Sequence, residues 1–493
     1  MQQFIQQANQ HLNNTAIIDN NGNYTYQQLL QASASFASLL LNQETDLQEQ
    51  RVAFMVNPGF DYVKIQWAVW RAGGVTVPLC LSHPLPSLQY VIEDTGAAIL
   101  IVSPQYKSLL APLAAEKNIR FIVLDENIAA DITPLPVITA ERRAMILYTS
   151  GTTNLPKGVV TTHANLQAQI TTLVTAWQWS SNDKIVCILP LHHVHGIVNV
   201  VSCALWSGAS CRFLPEFDAA ALFSLFKSGV LTLFMAVPTI YFKLISYYEA
   251  LPAAEQKELT IAMQQFRLMV SGSAALPVTV MEKWKTISSH TLLERYGMTE
   301  IGMAISNPYN GERKAGYVGL PLPGVQIRLA DENYNDAPAD QPGEILVKGA
   351  NVFNEYWNKP EATKKEFTAD GWFKTGDMAV LGNGYYRIMG RSSVDIIKSG
   401  GYKISALEIE EVLRTHPQIK DCAVVGLENE EWGELVAAAV VAHNNDAIDT
   451  TALNTWIRER MPAYRVPRKY ILVKELPRNA MGKVTKNDVK KMF

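Results

Sequence analysis

The chain has 493 residues, of which 48% are hydrophobic and 18% charged, so it is long enough to form at least two domains with separate cores. Its formal net charge of −3 gives no overall attraction to nucleic acid or to anionic membranes. Any anion-binding site must therefore be local.

The cysteine pattern and the N-terminal residues predict a cytoplasmic enzyme. The 5 cysteines form no Cys-x-x-Cys pair and lie in mostly apolar stretches, which favours buried free thiols over disulfides or zinc. The first residues are polar and carry no secretory signal. No apolar stretch reaches the roughly 18 residues that a membrane span requires.

Short β-rich runs alternate with helical stretches from residue 50 to about 330. Strands are expected at 51–56, 98–102, 121–124, 184–189 and 232–236, and the helices include 87–94 and 277–286. This alternation predicts an α/β fold whose large N-terminal domain has layers of helices and mostly parallel sheets.

The pattern changes near residue 326, where short strands at 326–329, 343–348 and 385–389 are separated by glycine, asparagine and proline turns. These residues predict a small antiparallel sheet or β-barrel-like subdomain. A small α+β domain is expected after Gly390-Arg391, with helices at 407–415 and 451–460 and strands at 421–427 and 435–442. We place the N-terminal domain at 1–391, the boundary at 392–395 and the C-terminal domain at 396–493.

A phosphate-binding loop is predicted between residues 145 and 158. An apolar run at 144–148, typical of a buried strand, precedes a loop whose glycines can present N–H groups to an anion and whose hydroxyls can donate to phosphate oxygens. These residues are Thr149, Ser150, Gly151, Thr152, Thr153 and Gly158. Lys157 adds a mobile positive charge. Because Pro156 and Gly158 depart from the Walker A pattern, the loop is not an ordinary P-loop, and a plain surface turn is the alternative.

Four further segments carry residues suited to a bound nucleotide. In Tyr296-Gly-Met-Thr-Glu300, the tyrosine can stack on a purine and the carboxylate can bind Mg²⁺ beside phosphates. Asp377, at the end of Gly371-Trp-Phe-Lys-Thr-Gly-Asp377, can accept hydrogen bonds from both ribose hydroxyls, and Arg391 can add a cation. Lys483 follows a glycine near the C-terminus. Taken singly, each residue also fits a structural role.

Together these motifs resemble those of the adenylate-forming superfamily, which contains acyl-CoA synthetases, luciferases and nonribosomal adenylation domains. The matching phrases are Tyr-Thr-Ser-Gly-Thr-Thr-x-x-Pro-Lys-Gly, Tyr-Gly-Met-Thr-Glu, Thr-Gly-Asp, Gly-Arg with Ser-Gly-Gly-Tyr-Lys-Ile, and Gly-Lys-Val. They run from about residue 25 to residue 483. The resemblance implies that a carboxylate attacks the α-phosphate of Mg·ATP, after which the thiol of coenzyme A displaces AMP.

The resemblance also implies residue roles. Thr149 and Glu300 would serve Mg²⁺, and the loop through Lys157 the β- and γ-phosphates. Tyr296 with the segment at 271–274 would bind the adenine, and Asp377 with Arg391 the ribose. Lys483 would bridge the substrate carboxylate and the α-phosphate. The implied contacts to nucleotide or coenzyme involve Ser150, Gly151, Thr152, Thr153, Lys157, Ser271, Gly272, Ser273, Tyr296, Gly297, Thr299, Asp377, Arg391, Gly400, Gly401 and Tyr402.

The C-terminal domain of this superfamily swings about a hinge after the Gly-Arg pair. The motion withdraws the lysine and brings in the loop at 400–402 to shape the pantetheine tunnel. The segment 390–395 is one residue longer than the usual hinge. The pivot is therefore left open between Ser393 and Asp395.

Arg295, directly before Tyr296, predicts the class of acid. An unpaired guanidinium in the acyl pocket would oppose an alkyl chain, whereas a second carboxylate on the substrate would be a bidentate partner. The surrounding phrases, including Leu-Leu-Glu-Arg-Tyr-Gly-Met-Thr-Glu and Pro-Leu-His-His-Val-His-Gly, resemble malonyl-CoA synthetases, which activate malonate and often methylmalonate. The alternative for Arg295 is a structural ion pair, for example with Glu294.

His193 and His195 are expected to line the acyl site. Lys243 is a candidate second cation for the distal carboxylate, with a solvated helix face as the alternative. The competing functions are a fatty-acid or aryl-acid ligase, an adenylation module that loads a separate carrier protein, and an inactive adenylate-binding protein. The joint presence of Glu300, Asp377 and Lys483 argues against the inactive form. The predicted partners are thus a small carboxylic acid, ATP and coenzyme A.

Overall fold

The computed structural model describes residues 1–124, 133–149, 155–214, 216–443, 448–479 and 482–493. Its strands, in chain order, are β1 Thr15–Asp19, β2 Gly22–Thr25, β3 Arg51–Met55, β4 Val75–Pro78, β5 Ile99–Val102, β6 Arg120–Val123, β7 Arg143–Thr149, β8 Lys157–Thr162, β9 Lys184–Cys187, β10 Ser210–Phe213, β11 Leu233–Ala236, β12 Leu268–Ser271, β13 Leu293–Met298, β14 Gly302–Ser306, β15 Leu320–Pro321, β16 Gln326–Ala330, β17 Gly343–Lys348, β18 Glu355–Tyr356, β19 Phe373–Gly382, β20 Tyr385–Arg391, β21 Ile396–Ser399, β22 Tyr402–Ser405, β23 Ile419–Asn429, β24 Gly433–Ala442 and β25 Lys469–Leu472.

The α-helices are α1 Gln2–Asn9, α2 Tyr26–Leu41, α3 Phe60–Arg71, α4 Leu85–Thr95, α5 Lys107–Glu116, α6 His163–Ala176, α7 Cys203–Trp206, α8 Ala219–Lys227, α9 Pro238–Glu249, α10 Ala253–Met263, α11 Val278–Ser288, α12 Pro360–Lys365, α13 Ala406–Arg414, α14 Thr450–Arg458 and α15 Lys486–Lys490. Two 3₁₀ turns lie at Pro104–Tyr106 and Ala463–Arg465. A π-helical segment, which the sequence analysis did not predict, spans His195–Ser202.

Two large sheets form the first part of the chain. Within the described ranges, one has nine strands in the order β15-β14-β13-β12-β11-β9-β10-β1-β2, and the other has seven in the order β18-β8-β7-β4-β3-β5-β6. Their central neighbours pair in parallel, and the antiparallel pairs lie toward the edges. The predicted α/β layering is confirmed.

Helices separate and cover the two sheets. The largest buried cluster joins Phe54 of β3, Trp67 of α3 and Ile185 of β9, so α2, α3 and α6 lie between the sheets. A second cluster packs α8–α11 on the outer face of the nine-stranded sheet, and a third packs α4 and α5 on the seven-stranded sheet. Because both faces of each sheet are covered, the central strands are mostly apolar, and β11 and β12 are buried at every residue.

The turn-rich region forms a four-stranded antiparallel sheet in the order β16-β17-β19-β20. The sequence had left a sheet and a small barrel as alternatives. The chain then passes through residues 392–395 into an α+β unit whose strands β21–β25 form one sheet. Helices α13 and α14 pack on one face of this sheet and α15 on the other.

Burial of the cysteines agrees with the sequence prediction. All five cysteines are free and buried, and burial raises the pKa of the Cys203 and Cys422 thiols. Within the described ranges, no helix is long and apolar enough to cross a membrane.

Candidate active site

The stems of the predicted phosphate loop are two paired strands. Thr149 ends β7, whose central residues are buried as expected, and lies opposite Lys157 at the start of β8. The Lys157 ammonium lies 3.5 Å from Glu366 Oε1 and 4.6 Å from the centroid of the Tyr356 ring. Ser150, Gly151, Thr152 and Thr153 lie outside the described residues.

Glu300 lies in the turn after β13 and is only 5% exposed. Its Oε1 accepts a hydrogen bond of 3.0 Å from the Tyr356 hydroxyl. Burial raises the pKa of the Glu300 carboxyl, while the hydrogen bond from Tyr356 and the charge of Arg391 oppose that shift. Tyr356 therefore contacts both the lysine of the phosphate loop and the carboxylate of the Tyr-Gly-Met-Thr-Glu turn.

Tyr296 joins the nine-stranded sheet to the small antiparallel sheet. Its hydroxyl donates a 2.6 Å hydrogen bond to Asp377 Oδ2. Asp377 on β19 lies opposite Arg391 on β20. Burial raises the pKa of Asp377, and the Arg391 charge is the largest effect that opposes it. Gly297 and Thr299 continue the same turn, where Gly297 lies against the backbone of Gly302 and Met303.

Lys483 reaches this site from the C-terminal part of the chain. Burial lowers the pKa of its ammonium, and the positive charge of Arg295 lowers it further, whereas Asp377 acts in the opposite direction. A cavity of about 1930 Å³ lies between the two parts, and its walls include Arg295, Tyr296, Asp377, Arg391 and Lys483. The structure thus brings together residues that are separated by nearly 200 positions.

Arg295 is buried, and no acidic side chain among the described residues pairs with it. It lies on β13 and is 3% exposed, and among the described residues no carboxylate comes within 4.0 Å of its guanidinium. The ion pair with Glu294 that the sequence left open is not formed, because neighbouring side chains on a strand point to opposite faces. Burial lowers the pKa of Arg295 to about 9. Its Nε has no hydrogen-bond partner in the described part of the chain.

Ser273 connects Arg295 to His195. Arg295 Nη2 donates to Ser273 Oγ at 3.3 Å, and Ser273 Oγ lies 3.1 Å from His195 Nδ1. The serine hydroxyl accepts from the arginine, and when it also donates its own proton to Nδ1, the proton of the neutral imidazole lies on Nε2. Burial holds the pKa of His195 well below its usual value, so the ring is neutral. Nε2 also lacks a partner among the described residues.

His193 lies close to the same charges. Burial lowers the pKa of its imidazole to about 4, and the charge of Lys483 contributes to the shift. His193 and His195 are therefore both neutral near pH 7, and the charge of Lys483 acts on both, but neither lines the cavity. Their place at the acyl site stays a prediction.

Gly272 provides the space for the Arg295 side chain. A Cβ atom at this position would lie 2.5 Å from Arg295 Cζ and 2.6 Å from its Nε. The preceding Ser271, at the end of β12, is fully buried. The sequence analysis had assigned residues 271–273 to the adenine, but the structure also places Gly272 and Ser273 against the arginine.

We expect Gly272→Ala to displace the guanidinium, because the new methyl group cannot share the space of Cζ. The KM for a dicarboxylate substrate should rise by about tenfold or more, as expected when a charged hydrogen bond is lost, while ATP binding changes less. Steady-state kinetics on malonate and calorimetry on ATP measure the two effects. Gly382→Ala is the control, since its Cβ would meet only Tyr317 at 3.6 Å. Equal effects of the two variants would contradict this role of Gly272.

Glu294 braces the loop that carries Ser273. Its Oε1 accepts a 2.9 Å hydrogen bond from the Leu276 N–H. The side chain is 4% exposed, and burial raises its pKa from 4.5 to about 8. A raised pKa of an acid means that the folded protein binds the proton more tightly than the unfolded chain does.

The Glu294 proton therefore makes a contribution to the free energy of unfolding that is complete below pH 4.5 and is lost as the pH rises to about 8. Glu294→Gln keeps an acceptor for Leu276 but cannot ionise. Relative to wild type, this variant should gain stability between pH 5 and pH 8.5, on the order of 2–5 kcal/mol. Urea unfolding at both pH values measures the gain, and a stability difference that does not change with pH would be inconsistent with this titration.

The C-terminal part docks onto the large domain through α13. Glu411 Oε2 accepts a 3.0 Å hydrogen bond from the Val278 N–H at the first turn of α11, and Glu408 pairs with Arg387 at 2.6 Å. In the connecting segment, Asp395 accepts from the Arg391 N–H at 3.0 Å and lies 2.6 Å from the Lys486 ammonium. This arrangement holds Lys483 in the cavity.

Two groups of predicted residues lie elsewhere. Lys243 on α9 is exposed, with its ammonium 5.5 Å from the centre of the Phe217 ring, and it does not line the cavity. Lys243 therefore lies on a solvent-exposed face of α9, which was the alternative interpretation of this residue. Gly400, Gly401 and Tyr402 also do not line the cavity. Tyr402 is 54% exposed and stacks on Tyr464 with ring centres 4.3 Å apart.

Sequence reasoning missed three contacts at the site, made by Tyr356, Glu366 and Glu294. Each of them acts on a partner whose position depends on the fold. Of the three, Glu294 lies within the motif Leu-Leu-Glu-Arg-Tyr-Gly-Met-Thr-Glu. No local pattern distinguishes Tyr356 or Glu366 from ordinary core and helix residues.

The AMP-binding enzyme family matches residues 4–357, and the AMP-binding enzyme C-terminal domain matches residues 408–483. The chain therefore belongs to the AMP-binding enzyme family, which confirms the resemblance drawn from the motifs.

Individual relatives narrow the comparison. The mitochondrial malonate–CoA ligase of Bos taurus is 44% identical over 511 aligned residues, which cover 96% of this chain and 87% of that protein. ATP-bound MatB from Rhodopseudomonas palustris has a TM-score of 0.89 at 32% identity, covering 99% of this chain and 98% of that one. A malonyl-CoA ligase with methylmalonyl-CoA and AMP bound has a TM-score of 0.70 at 34% identity, covering 95% and 97%.

Proposed function

We propose that the protein is an ATP-dependent, AMP-forming malonate:CoA ligase. The observation that carries this proposal is the buried guanidinium of Arg295, which has no carboxylate partner in the described part of the chain. A buried cation without a partner is costly unless a ligand supplies the opposite charge. The 44% identity to a malonate–CoA ligase supports the same substrate.

The reaction proceeds in two steps. One carboxylate of malonate attacks the α-phosphorus of ATP, which forms the acyl–phosphate bond and releases pyrophosphate. The thiolate of coenzyme A then attacks the acyl carbon, which forms the thioester and releases AMP. The products are malonyl-CoA, AMP and pyrophosphate.

The distal carboxylate of malonate is held by Arg295 and His195. The Nε–H of Arg295, which has no partner among the described residues, is a donor on the cavity wall, and a proton on His195 Nε2 would make a second donor; two donors suit a carboxylate that accepts hydrogen bonds on two oxygens. A fatty or aryl acid would leave both donors without partners. Malonate is therefore favoured over these acids, and methylmalonate remains a second dicarboxylate to test.

The nucleotide roles are those that the resemblance to the family supports. Tyr296 and residues 271–273 bind the adenine, Asp377 and Arg391 the ribose, and Lys157 with residues 150–153 the β- and γ-phosphates. Lys483 bridges the reacting carboxylate and the α-phosphate, where negative charge gathers in the transition state.

The side-chain oxygens of Glu300 and Thr149 are suitable ligands for the Mg²⁺ that arrives with ATP. The site offers one buried carboxylate and one hydroxyl, and the described residues contain no cluster of three or more metal-binding side chains. Magnesium is commonly bound in this way, through one or two carboxylates together with substrate phosphates. When bound, the ion neutralises phosphate charge.

The domain boundary is proposed at residues 392–395, as the sequence predicted. In the present arrangement Lys483 lies in the cavity, while the loop at 400–402 lies away from it, which suits the adenylation step. The resemblance to the superfamily supports a second orientation of the small domain for the second step. Coenzyme A would then be engaged by the loop at 400–402. The cytoplasmic location stays a prediction. The malonate–CoA ligase of Bos taurus is named as a mitochondrial protein.

A panel of acids tests the proposed function. AMP release is measured with ATP, Mg²⁺ and coenzyme A on malonate, methylmalonate, acetate, octanoate and coumarate. We expect turnover of malonate to exceed that of every monocarboxylate. If the enzyme turned over octanoate but not malonate, the dicarboxylate assignment would be overturned. If AMP release needed a carrier protein instead of coenzyme A, the assignment of coenzyme A as the acyl acceptor would be overturned.

A further inference from the structure

The short strand β18 connects the two halves of the phosphate site. It pairs with β8, with Tyr356 opposite Val159, and the next residue, Trp357, donates its N–H to the Gly158 carbonyl at 2.8 Å. Just before the strand, the Phe353 N–H donates to the Glu300 carbonyl at 2.7 Å. One segment thus ties the backbone of the phosphate hairpin to the turn that carries Glu300.

The side chain of Tyr356 makes the same connection. Its ring centre lies 4.6 Å from the Lys157 ammonium, and its hydroxyl donates to Glu300 Oε1 at 3.0 Å. The residue is 5% exposed and packs against Phe353 with ring centres 4.8 Å apart. Its own N–H donates to Thr363 Oγ1 at 2.9 Å. These contacts hold the ring in one position between the two functional groups.

We infer that Tyr356 is a positioning residue for Mg·ATP, whose ring orients Lys157 toward the β- and γ-phosphates and whose hydroxyl orients Glu300. This inference rests on the proposed function, because it assigns phosphate and metal contacts to Lys157 and Glu300.

The two contacts act on different parts of the ligand. A cation held over an aromatic face keeps its remaining N–H bonds directed away from the ring, so Lys157 is prepared to meet phosphate oxygens. A hydroxyl that donates to one carboxylate oxygen leaves the other available to a ligand. Glu366, the carboxylate partner of Lys157 at 3.5 Å, is more exposed than Tyr356 and can give way when phosphates bind.

Two substitutions separate the ring from the hydroxyl. Tyr356→Phe keeps the ring under Lys157 and removes the donor to Glu300, whereas Tyr356→Leu removes both. Binding of metal-free ATP and of AMP is measured by calorimetry in the presence of EDTA. Pyrophosphate exchange with malonate is then measured as a function of Mg²⁺, ATP and malonate concentrations.

We expect Tyr356→Leu to weaken the binding of metal-free ATP by about 2- to 30-fold, which is the range of a cation–π contact. The affinity for AMP should be nearly unchanged. Tyr356→Phe should bind metal-free ATP as wild type does and should need about tenfold more Mg²⁺ for half-maximal exchange. In both variants the KM for malonate should stay within about twofold of the wild-type value.

Tyr26→Phe serves as the control for general destabilisation. It removes the hydroxyl of another buried tyrosine, which lies on α2 and donates a 2.6 Å hydrogen bond to the Ala209 carbonyl. If Tyr356 had only a structural role, its substitution would lower the melting temperature, and it would weaken AMP binding and ATP binding and raise the KM for malonate to the same extent. That outcome would overturn the inference. Wild-type protein that exchanges no pyrophosphate with malonate would instead refute the proposed function, so the two failures are distinguishable.

Discussion

Arg295→Ala is expected to lower kcat/KM for malonate by about 10²- to 10³-fold, the cost of removing one partner of a buried, hydrogen-bonded charge pair. Without the guanidinium, the distal carboxylate of malonate would be buried with His195 as its remaining donor. A monocarboxylate such as acetate or octanoate has no distal charge, so its activation should stay level or improve. AMP release is measured with malonate and with octanoate in parallel, and the ratio of the two kcat/KM values is compared between the variant and wild type.

Arg295→Lys is the matched variant for this experiment. It keeps a positive charge but loses the planar fork that can bind two carboxylate oxygens, so its effect should lie between wild type and alanine. Above pH 9 the wild-type KM for malonate should also rise, because burial lowers the pKa of Arg295 to about 9 and the uncharged form binds the dianion poorly. An unchanged ratio of malonate to octanoate in Arg295→Ala would exclude a substrate contact.

Lys483→Ala is expected to slow pyrophosphate exchange with malonate by about 10²- to 10³-fold, as expected when a donor that stabilises transition-state charge is removed. The ammonium acts where the carboxylate attacks the α-phosphate, and the resemblance implies that the domain swing withdraws it before the second step. Thioester formation from chemically prepared malonyl adenylate and coenzyme A should therefore stay within a few fold of wild type. Measuring the two half-reactions separately tests this division.

Lys469→Ala provides a control in the same domain. Its ammonium lies at the surface, 3.0 Å from the Phe493 carbonyl, and away from the cavity. Both half-reactions should be unaffected in this variant. Equal losses in the two half-reactions of Lys483→Ala would indicate a general effect on the C-terminal domain rather than a role in adenylation.

The nucleotide site was the most predictable part of the protein. Its motifs are contiguous, so local residue types already carry the chemistry. The apolar run at 144–148, Asp377 and the lysine at 483 could be located in this way, although Asp377 lies within β19 and pairs with Arg391 of β20. The layered α/β architecture was predictable for the same reason, since hydrophobic runs of strand length and helix length alternate along the chain.

The acyl pocket was less predictable because its properties arise from contacts between distant segments. Lys243 follows a plausible motif, yet it lies on the exposed face of α9. Ser273 lies in a segment assigned to adenine, yet its hydroxyl lies between Arg295 and His195. Which face of a helix is buried and which side of a loop meets a strand are decided by packing.

The amino-acid sequence by itself determined the family, the use of ATP and the presence of one arginine beside the active-site turn. Only the tertiary structure showed that this arginine is buried without a carboxylate partner among the described residues, that Gly272 provides its space, and that Tyr356 joins Lys157 to Glu300. The physical reason is that residue type and spacing define local chemistry. Burial and charge pairing depend on which distant segments the fold brings into contact.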